Sequence, residues 1–146
     1  MTTPRSDFDQ ALDRIGRGSH VSLTTFRRNG QAVPTPVGGL VQDDTLYVLT
    51  PPDTGKVKRI RNNPQVTIAP CDMKGNVPVG VPAVRATARL LDPAETARVQ
   101  EMMRRRFFMY RLVRLLDRAL GRERRLVAIA VTPWEGVPPD FPDTRP

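Results

Sequence analysis

Four basic side chains stand close together in the stretch TPPDTGKVKRIRNNP, which runs over Thr50–Pro64: Lys56, Lys58, Arg59 and Arg61. The apolar stretch TLYVL precedes them, so the cations lie where a predicted strand ends and a predicted short helix begins. The free N–H groups of a helix N-terminus favour anions. The pattern therefore indicates either a phosphate site or a solvated helix face, and the residues alone leave both interpretations open.

The known nucleotide-binding motifs do not explain this cluster. Gly55-Lys56 is not a P-loop, because no glycine lies five residues before Gly55 and Val57 stands where Ser or Thr is required. A Rossmann G-x-G-x-x-G is absent too.

No side chain outside the cluster has the sequence context of a catalyst. His20 is the single histidine and begins a predicted strand, so we interpret it as structural. Cys71 is the single cysteine, and we expect a small buried hydrophobe there. One histidine and one cysteine do not make a zinc site. We predict no metal site and no catalytic side chain, so an enzyme built on this chain would depend on a bound cofactor.

Length and composition predict a single domain over residues 1–146, with a core at about 7–133 and a proline-rich tail at 134–146. The net charge of +8 indicates an anionic partner without naming it. The lone cysteine and the polar N-terminal segment MTTPRSDFDQ predict a cytoplasmic protein.

Short β-branched segments separated by turn residues predict six strands, and a longer basic segment predicts a helix before the last of them. The second strand carries Pro34 and Pro36, which suit an edge, a bulge or the mouth of a site. The predicted strands are His20–Phe26, its return after the Asn29-Gly30 turn, Thr45–Thr50, Gln65–Asp72, Ala83–Leu91 and Leu126–Pro133. The predicted helices are Asp7–Gly16, a short one capped by Asp53 or Thr54, and one from Asp92 to Gly121 in one or two pieces. We therefore expect a mainly β fold, a six-stranded antiparallel split barrel with flanking helices.

The order of these segments resembles a known family. The runs HVSLTTFRRNGQAVPTPV, DDTLYVLTPPDTGKVKRIRNNPQVTIAPCD and VRATARLL are similar to the pyridoxamine-phosphate-oxidase-like split β-barrel proteins, over about residues 7–133. They are most similar to the branch of flavin/deazaflavin oxidoreductases that uses coenzyme F420. The distinctive feature is the order and spacing of the segments, since no single motif in them is catalytic.

The resemblance implies a homodimer with the cofactor in a groove between subunits. Lys56 would be the main cation for the cofactor phosphate, supported by Lys58 and Arg59. The ring and ribityl chain would be lined by backbone and side chains at Thr35, Pro36, Val37, Thr50, Pro51, Ala69 and Pro70. One departure concerns Gly38-Gly39, where the family pattern leads us to expect a bulky or aromatic pair that contacts the ring.

The segment from residue 98 to 125 holds ten arginines against three acids. On a helical wheel, five of the arginines form a stripe roughly 80° wide with apolar residues opposite. The stripe consists of Arg104, Arg111, Arg114, Arg118 and Arg122. We favour an amphipathic helix packed on the barrel over one that lies on anionic lipid with Phe107 and Phe108 as anchors. Nucleic acid is a further partner that we do not favour, because no aromatic-rich strand offers a stacking platform.

The expected function is hydride transfer between reduced F420 and a small organic substrate. The alternatives are an FMN-dependent oxidoreductase, a non-catalytic cofactor-binding protein, and a basic module that binds lipid or nucleic acid. The substrate cannot be read from the residues.

Overall fold

Turn chemistry divides the chain into short antiparallel strands. The computed structural model describes residues 4–17, 20–121 and 125–134, without the side chains of positions 4, 5 and 108–110, and these residues form four helices and seven strands. The helices are α1 Pro4–Gly16, α2 Gly55–Asn62, α3 Pro93–Arg106 and α4 Phe108–Ala119. The strands are β1 His20–Phe26, β2 Ala32–Val37, β3 Leu40–Gln42, β4 Thr45–Thr50, β5 Gln65–Cys71, β6 Val84–Leu90 and β7 Val127–Pro133.

All seven strands form one antiparallel sheet in the order β2-β1-β5-β6-β7-β4-β3. Its two edges, β2 and β3, are joined only by Gly38-Gly39. A flat seven-stranded sheet would hold its edges about 29 Å apart at about 4.8 Å per strand. The three Cα steps from Val37 to Leu40 reach about 11 Å at most. The sheet must therefore curl into a barrel.

The expected mainly β split-barrel class is confirmed, with seven strands instead of six. The extra strand arises because the strand predicted after Asn29-Gly30 divides at Gly38-Gly39: β2 pairs with β1, and β3 pairs with β4. A Cβ atom on Gly39 would lie 2.7 Å from Cδ1 of Leu46 and 3.5 Å from Cγ2 of Val21. Glycine at this position lets the chain cross closely from one edge of the sheet to the other.

One face of α1 belongs to the main hydrophobic core. Phe8, Leu12 and Ile15 are buried on the predicted face of this helix and pack with inward residues of the strands. The helix starts at Pro4, three residues before the predicted start at Asp7. The predicted turn at Asn29-Gly30 is also present, and Gly30 has a φ of 87° there.

A second, smaller core lies outside the barrel under α3. Val99 and Met103 of this helix pack with Leu40, Ala128 and Ala130. The predicted helix start is confirmed as a capping box, in which the backbone N–H of residue 95 donates to the residue 92 carboxylate at 2.7 Å.

The long basic helix is divided, which confirms the two-piece alternative. Phe107 has an extended backbone between α3 and α4. The expectation that this segment packs on the barrel holds for α3 but not for α4, where Leu115 and Leu116 are exposed. Arg122 and the side chain of Phe108 lie outside the described residues. None of the helices in the described part of the chain has both the length and the apolar character needed to span a membrane.

Candidate functional site

The N-terminus of α2 is open to an anion. Val57 and Ile60 are buried, which fixes one face of the helix against the rest of the protein. Thr54 occupies the N-cap position, one of the two predicted, but its hydroxyl donates to the carbonyl of Pro51 at 3.1 Å and does not cap the helix. The first turn of α2 contains no acidic residue. Because the side chain of Thr54 accepts no hydrogen bond from the helix, the first backbone N–H groups of α2 are available to bind an anion.

The basic residues of α2 divide into two pairs on opposite flanks of the helix. At 100° per residue, Lys56 and Arg59 lie 60° apart on one flank, and Lys58 and Arg61 lie 60° apart on the other. Lys56 and Arg59 are half-buried, whereas Lys58 and Arg61 are exposed. The sequence prediction grouped Lys58 with Lys56 and Arg59, but the helix separates it from them.

Arg59 is fixed by a side chain of the barrel. Its Nε donates a 2.6 Å hydrogen bond to Oγ1 of Thr25, which is fully buried in β1. A Cβ atom on Gly55 would lie only 2.7 Å from Nη1 of Arg59, so the guanidinium folds back over the first turn of α2. The absence of a side chain at position 55 therefore gives this cation its place at the helix N-terminus.

Lys56 and Arg59 form a concentration of positive charge without a counter-ion. Burial, and secondly the charge of Arg59, lower the pKa of Lys56 from 10.5. Neither cation forms an ion pair with any residue in 4–17, 20–121 or 125–134. A half-buried lysine whose pKa is lowered by burial and by a neighbouring guanidinium favours an anion beside the two cations.

Thr50 adds a buried hydroxyl at the end of β4. It is 3% exposed and lies on the same face as Leu46 and Val48 of the barrel core. Among the described residues, its Oγ1 is the only buried side-chain oxygen or nitrogen without a hydrogen-bond partner. A buried hydroxyl without a partner costs free energy, and a bound group could provide that partner.

The residues predicted in β2 fall on two faces. Thr35 pairs with Leu23 and Val37 with Val21, so both share the face of β1 that carries Thr25. Pro36 lies on the opposite face and is exposed. β2 is an edge strand, which is one of the three positions predicted for a strand with its two prolines.

The two predicted residues of β5 are also separated. Ala69 pairs with Ser22, which in turn pairs with Pro36, so these three form a row across the outer face. Pro70 pairs with Val21 on the inner face and borders a small cavity beside α1. One subunit therefore joins Arg59 to Thr25 on the inner face, while Ala69 lies on the outer face and Pro70 lies beside Val21, four residues along β1 from Thr25.

Thr25 and Gly55 are contributors that the sequence prediction missed. Val21, Leu23 and Thr25 occupy every second position of HVSLTTF and therefore share one face of the strand. Because that face is buried, the hydroxyl of Thr25 requires a hydrogen-bond partner. That alternation was the available signal for Thr25. The fold-back of Arg59 onto Gly55 has no signature in the sequence, since it depends on a side-chain conformation.

Comparison with family models matches residues 9–137 to the model described as pyridoxamine 5'-phosphate oxidase. The chain belongs to this family. Comparison with curated proteins finds no match.

Solved structures similar to this family member differ in their stated roles. The heme storage protein HutZ from Vibrio cholerae is similar with a TM-score of 0.62 and 16% identity, covering 88% of this chain and 90% of that one. An F420 reductase is similar with a TM-score of 0.53 and 17% identity, covering 84% and 91%. General Stress Protein 26 from Bacillus anthracis is similar with a TM-score of 0.54 and 20% identity, covering 85% and 87%. At these identities the similarity shows the split-barrel fold.

The remaining candidates for chemistry in this pyridoxamine 5'-phosphate oxidase family member are unremarkable. Cys71 is buried, as expected, and burial raises the pKa of its thiol, followed by the effect of Asp72. His20 lies opposite Cys71 in the β1–β5 pairing. Across the described ranges, no group of three or more His, Cys, Asp or Glu side chains could hold a metal ion. The anion site of α2 is therefore the strongest candidate.

Proposed function

We propose that the chain is an oxidoreductase that binds coenzyme F420, with the cofactor phosphate at the start of α2, and transfers hydride between the reduced deazaflavin and a small organic substrate. The observation that carries the proposal is the half-buried pair of Lys56 and Arg59 beside the uncapped N-terminus of α2. A phosphate there would accept charge-assisted hydrogen bonds from both side chains and from the helix N–H groups.

The other residues would hold and orient the cofactor. The hydroxyl of Thr50 offers a buried hydrogen-bonding group, and Thr35 and Val37 offer a partly buried wall on the Thr25 face. The bound deazaflavin would supply the hydride chemistry, so the protein's part is to bind, orient and exclude water.

Lys58 and Arg61 favour F420 over FMN as the cofactor. Both lie exposed on the flank away from the phosphate site, where they could attract an additional anionic tail. The similarity in fold to an F420 reductase supports the same choice. The similar heme storage and stress proteins show why the fold alone does not decide the activity.

A fluorescence titration of the purified protein with F420 tests the proposal. Lys56→Ala should weaken binding by roughly 1.5–3 kcal/mol, the scale of hydrogen bonds to a charged group. Arg98→Ala removes an exposed cation from α3 and is the charge-matched control. Equal affinity in the two variants would end the Lys56 assignment.

Titration with FMN decides between the two cofactors. F420 should bind more tightly than FMN and should lose more affinity on addition of salt. Salt screens the attraction between exposed charges over a length of about 8 Å at physiological ionic strength, and only F420 would use the exposed Lys58 and Arg61. Tighter binding of FMN would reverse the assignment. Mixing the protein with reduced F420 and a panel of small electron acceptors then measures hydride transfer by the return of oxidised F420 absorbance.

A further inference from the structure

The amphipathic helix α4 has its apolar side turned away from the protein. Leu115 and Leu120 are each 62% exposed and Leu116 is 52% exposed, whereas Asp117 is buried at 7%. A surface helix of a soluble protein normally shows the reverse, with apolar residues inward and charges outward. None of the described residues covers these leucines, so another group must do so if they are to leave water.

Cations border this apolar face. Arg104 of α3 and Arg111 and Arg118 of α4 line a groove that Leu112 and Leu115 also line. The charges thus lie beside the leucines and not on a separate part of the surface. In an interfacial helix, such cations lie at the level of the lipid headgroups while the apolar face enters the acyl boundary.

Cations outnumber acids in the groove, where Asp117 lies among four arginines, at positions 104, 111, 114 and 118. Glu101 pairs with Arg104 at 2.7 Å and with Arg105 at 3.1 Å, and these arginines lower its pKa to about 2, the hydrogen bond from Arg104 contributing most. One carboxylate therefore faces two guanidinium groups at the end of α3. The whole segment 98–125 has ten arginines against three acids.

This charge decides between the two occupants that would cover an apolar helix face. A second copy docked through this face would bring another arginine-rich segment against the first. An anionic bilayer brings the opposite charge, at a gain of about 1 kcal/mol for each arginine near its surface. We propose that α4 docks this protein on the surface of an anionic lipid bilayer, with Leu115, Leu116 and Leu120 entering it.

Flotation of the full chain with vesicles tests the proposal. Vesicles containing phosphatidylglycerol should bind the protein, and vesicles of phosphatidylcholine alone should bind it at least tenfold more weakly. Arg111→Gln with Arg118→Gln should reduce binding about thirtyfold, since two arginines each contribute about 1 kcal/mol. Leu115→Gln with Leu116→Gln should reduce it at least tenfold.

The charge-matched control is Arg27→Gln with Arg28→Gln, which removes two exposed cations from the β1–β2 turn and should leave binding within about twofold. Circular dichroism and thermal unfolding confirm that each variant folds. Equal binding to both vesicle types, or equal losses in the control and the α4 arginine variant, would overturn the proposal. A leucine variant that dissociates an oligomer, with no vesicle binding by the parent protein, would assign the face to a second copy instead.

Discussion

Arg59 occupies the α2 N-terminus because position 55 has no side chain. A Cβ there would lie 2.7 Å from Nη1 of Arg59, so Gly55→Ala must displace the guanidinium. Alanine is favoured over glycine within helices by up to about 1 kcal/mol. We therefore expect Gly55→Ala to keep or raise the free energy of unfolding while weakening F420 binding at least fivefold.

Urea unfolding and the F420 titration measure these two effects separately. Thr25→Val removes the hydroxyl that accepts from Nε of Arg59 and serves as an independent perturbation of the same side chain. If Gly55→Ala binds F420 as the parent protein does, Arg59 does not contribute to the anion site.

The lowered pKa of Lys56 predicts opposite pH dependences for folding and binding. Since the pKa of Lys56 in the folded protein lies below its ordinary value of 10.5, the unfolded chain binds more protons between these two pKa values. The titration of Lys56 therefore increases the free energy of unfolding of the cofactor-free protein as pH rises through that window. Phosphate binding requires the charged form, so affinity falls over the same window.

Comparison with Lys56→Met isolates the pH-dependent contribution of Lys56 to stability, because the variant has no amine at position 56. Urea unfolding at several pH values above neutrality should give a smaller rise in stability for Lys56→Met than for the parent chain. Parallel curves would show that Lys56 titrates alike in the folded and unfolded states.

At the scale of elements, the barrel closes through two adjacent glycines with different surroundings. A Cβ on Gly39 would press on the buried side chain of Leu46, whereas a Cβ on Gly38 has nothing within 4 Å. We expect Gly39→Ala to destabilise the fold by roughly 1–3 kcal/mol, the usual cost of overpacking. Gly38→Ala is the matched control and should stay within about 0.5 kcal/mol. Equal effects in urea unfolding would contradict this account of closure.

Local chemistry made much of the fold predictable. The Asn29-Gly30 turn, the α3 capping box and the apolar face of α1 each depend on neighbouring residues, and all three are present as predicted. The division of β2 from β3 was not predictable in the same way, because it depends on which strands lie on either side of Gly38-Gly39.

The candidate site was predicted less completely, for the same physical reason. Lys56 and Arg59 could be placed at a helix start from their spacing alone. The contact of Arg59 with Thr25 joins residues 34 positions apart, and only the folded barrel brings them together. The outward orientation of α4 was missed because a helical wheel shows which residues share a face but not which face meets the protein.

At the scale of the whole molecule, the connection between β5 and β6 presents apolar side chains to solvent. Met73 is 79% exposed and Val79 is fully exposed. The start of the connection is ordered, since the Asp72 carboxylate accepts from the backbone N–H groups of Lys74 and Asn76 at 2.9 Å each. An ordered loop with exposed apolar residues is suited to a protein interface.

This loop also lies near the predicted cofactor wall on the outer face, because a Cβ on Gly75 would be 3.6 Å from Cγ of Pro36. A partner subunit docked on the loop would thus adjoin the row that includes Pro36 and Ala69, which one chain does not join to Lys56.

We expect a two-fold dimer at micromolar concentration that binds one cofactor per chain. Light scattering and a stoichiometric F420 titration measure the two halves of this prediction. Met73→Asp with Val79→Asp should shift the dimer toward monomer and weaken F420 binding together, whereas Leu120→Asp, just after the end of α4, should change neither. A monomeric parent protein that still binds F420 tightly would show that Lys56, Arg59 and their neighbours form the site within one chain.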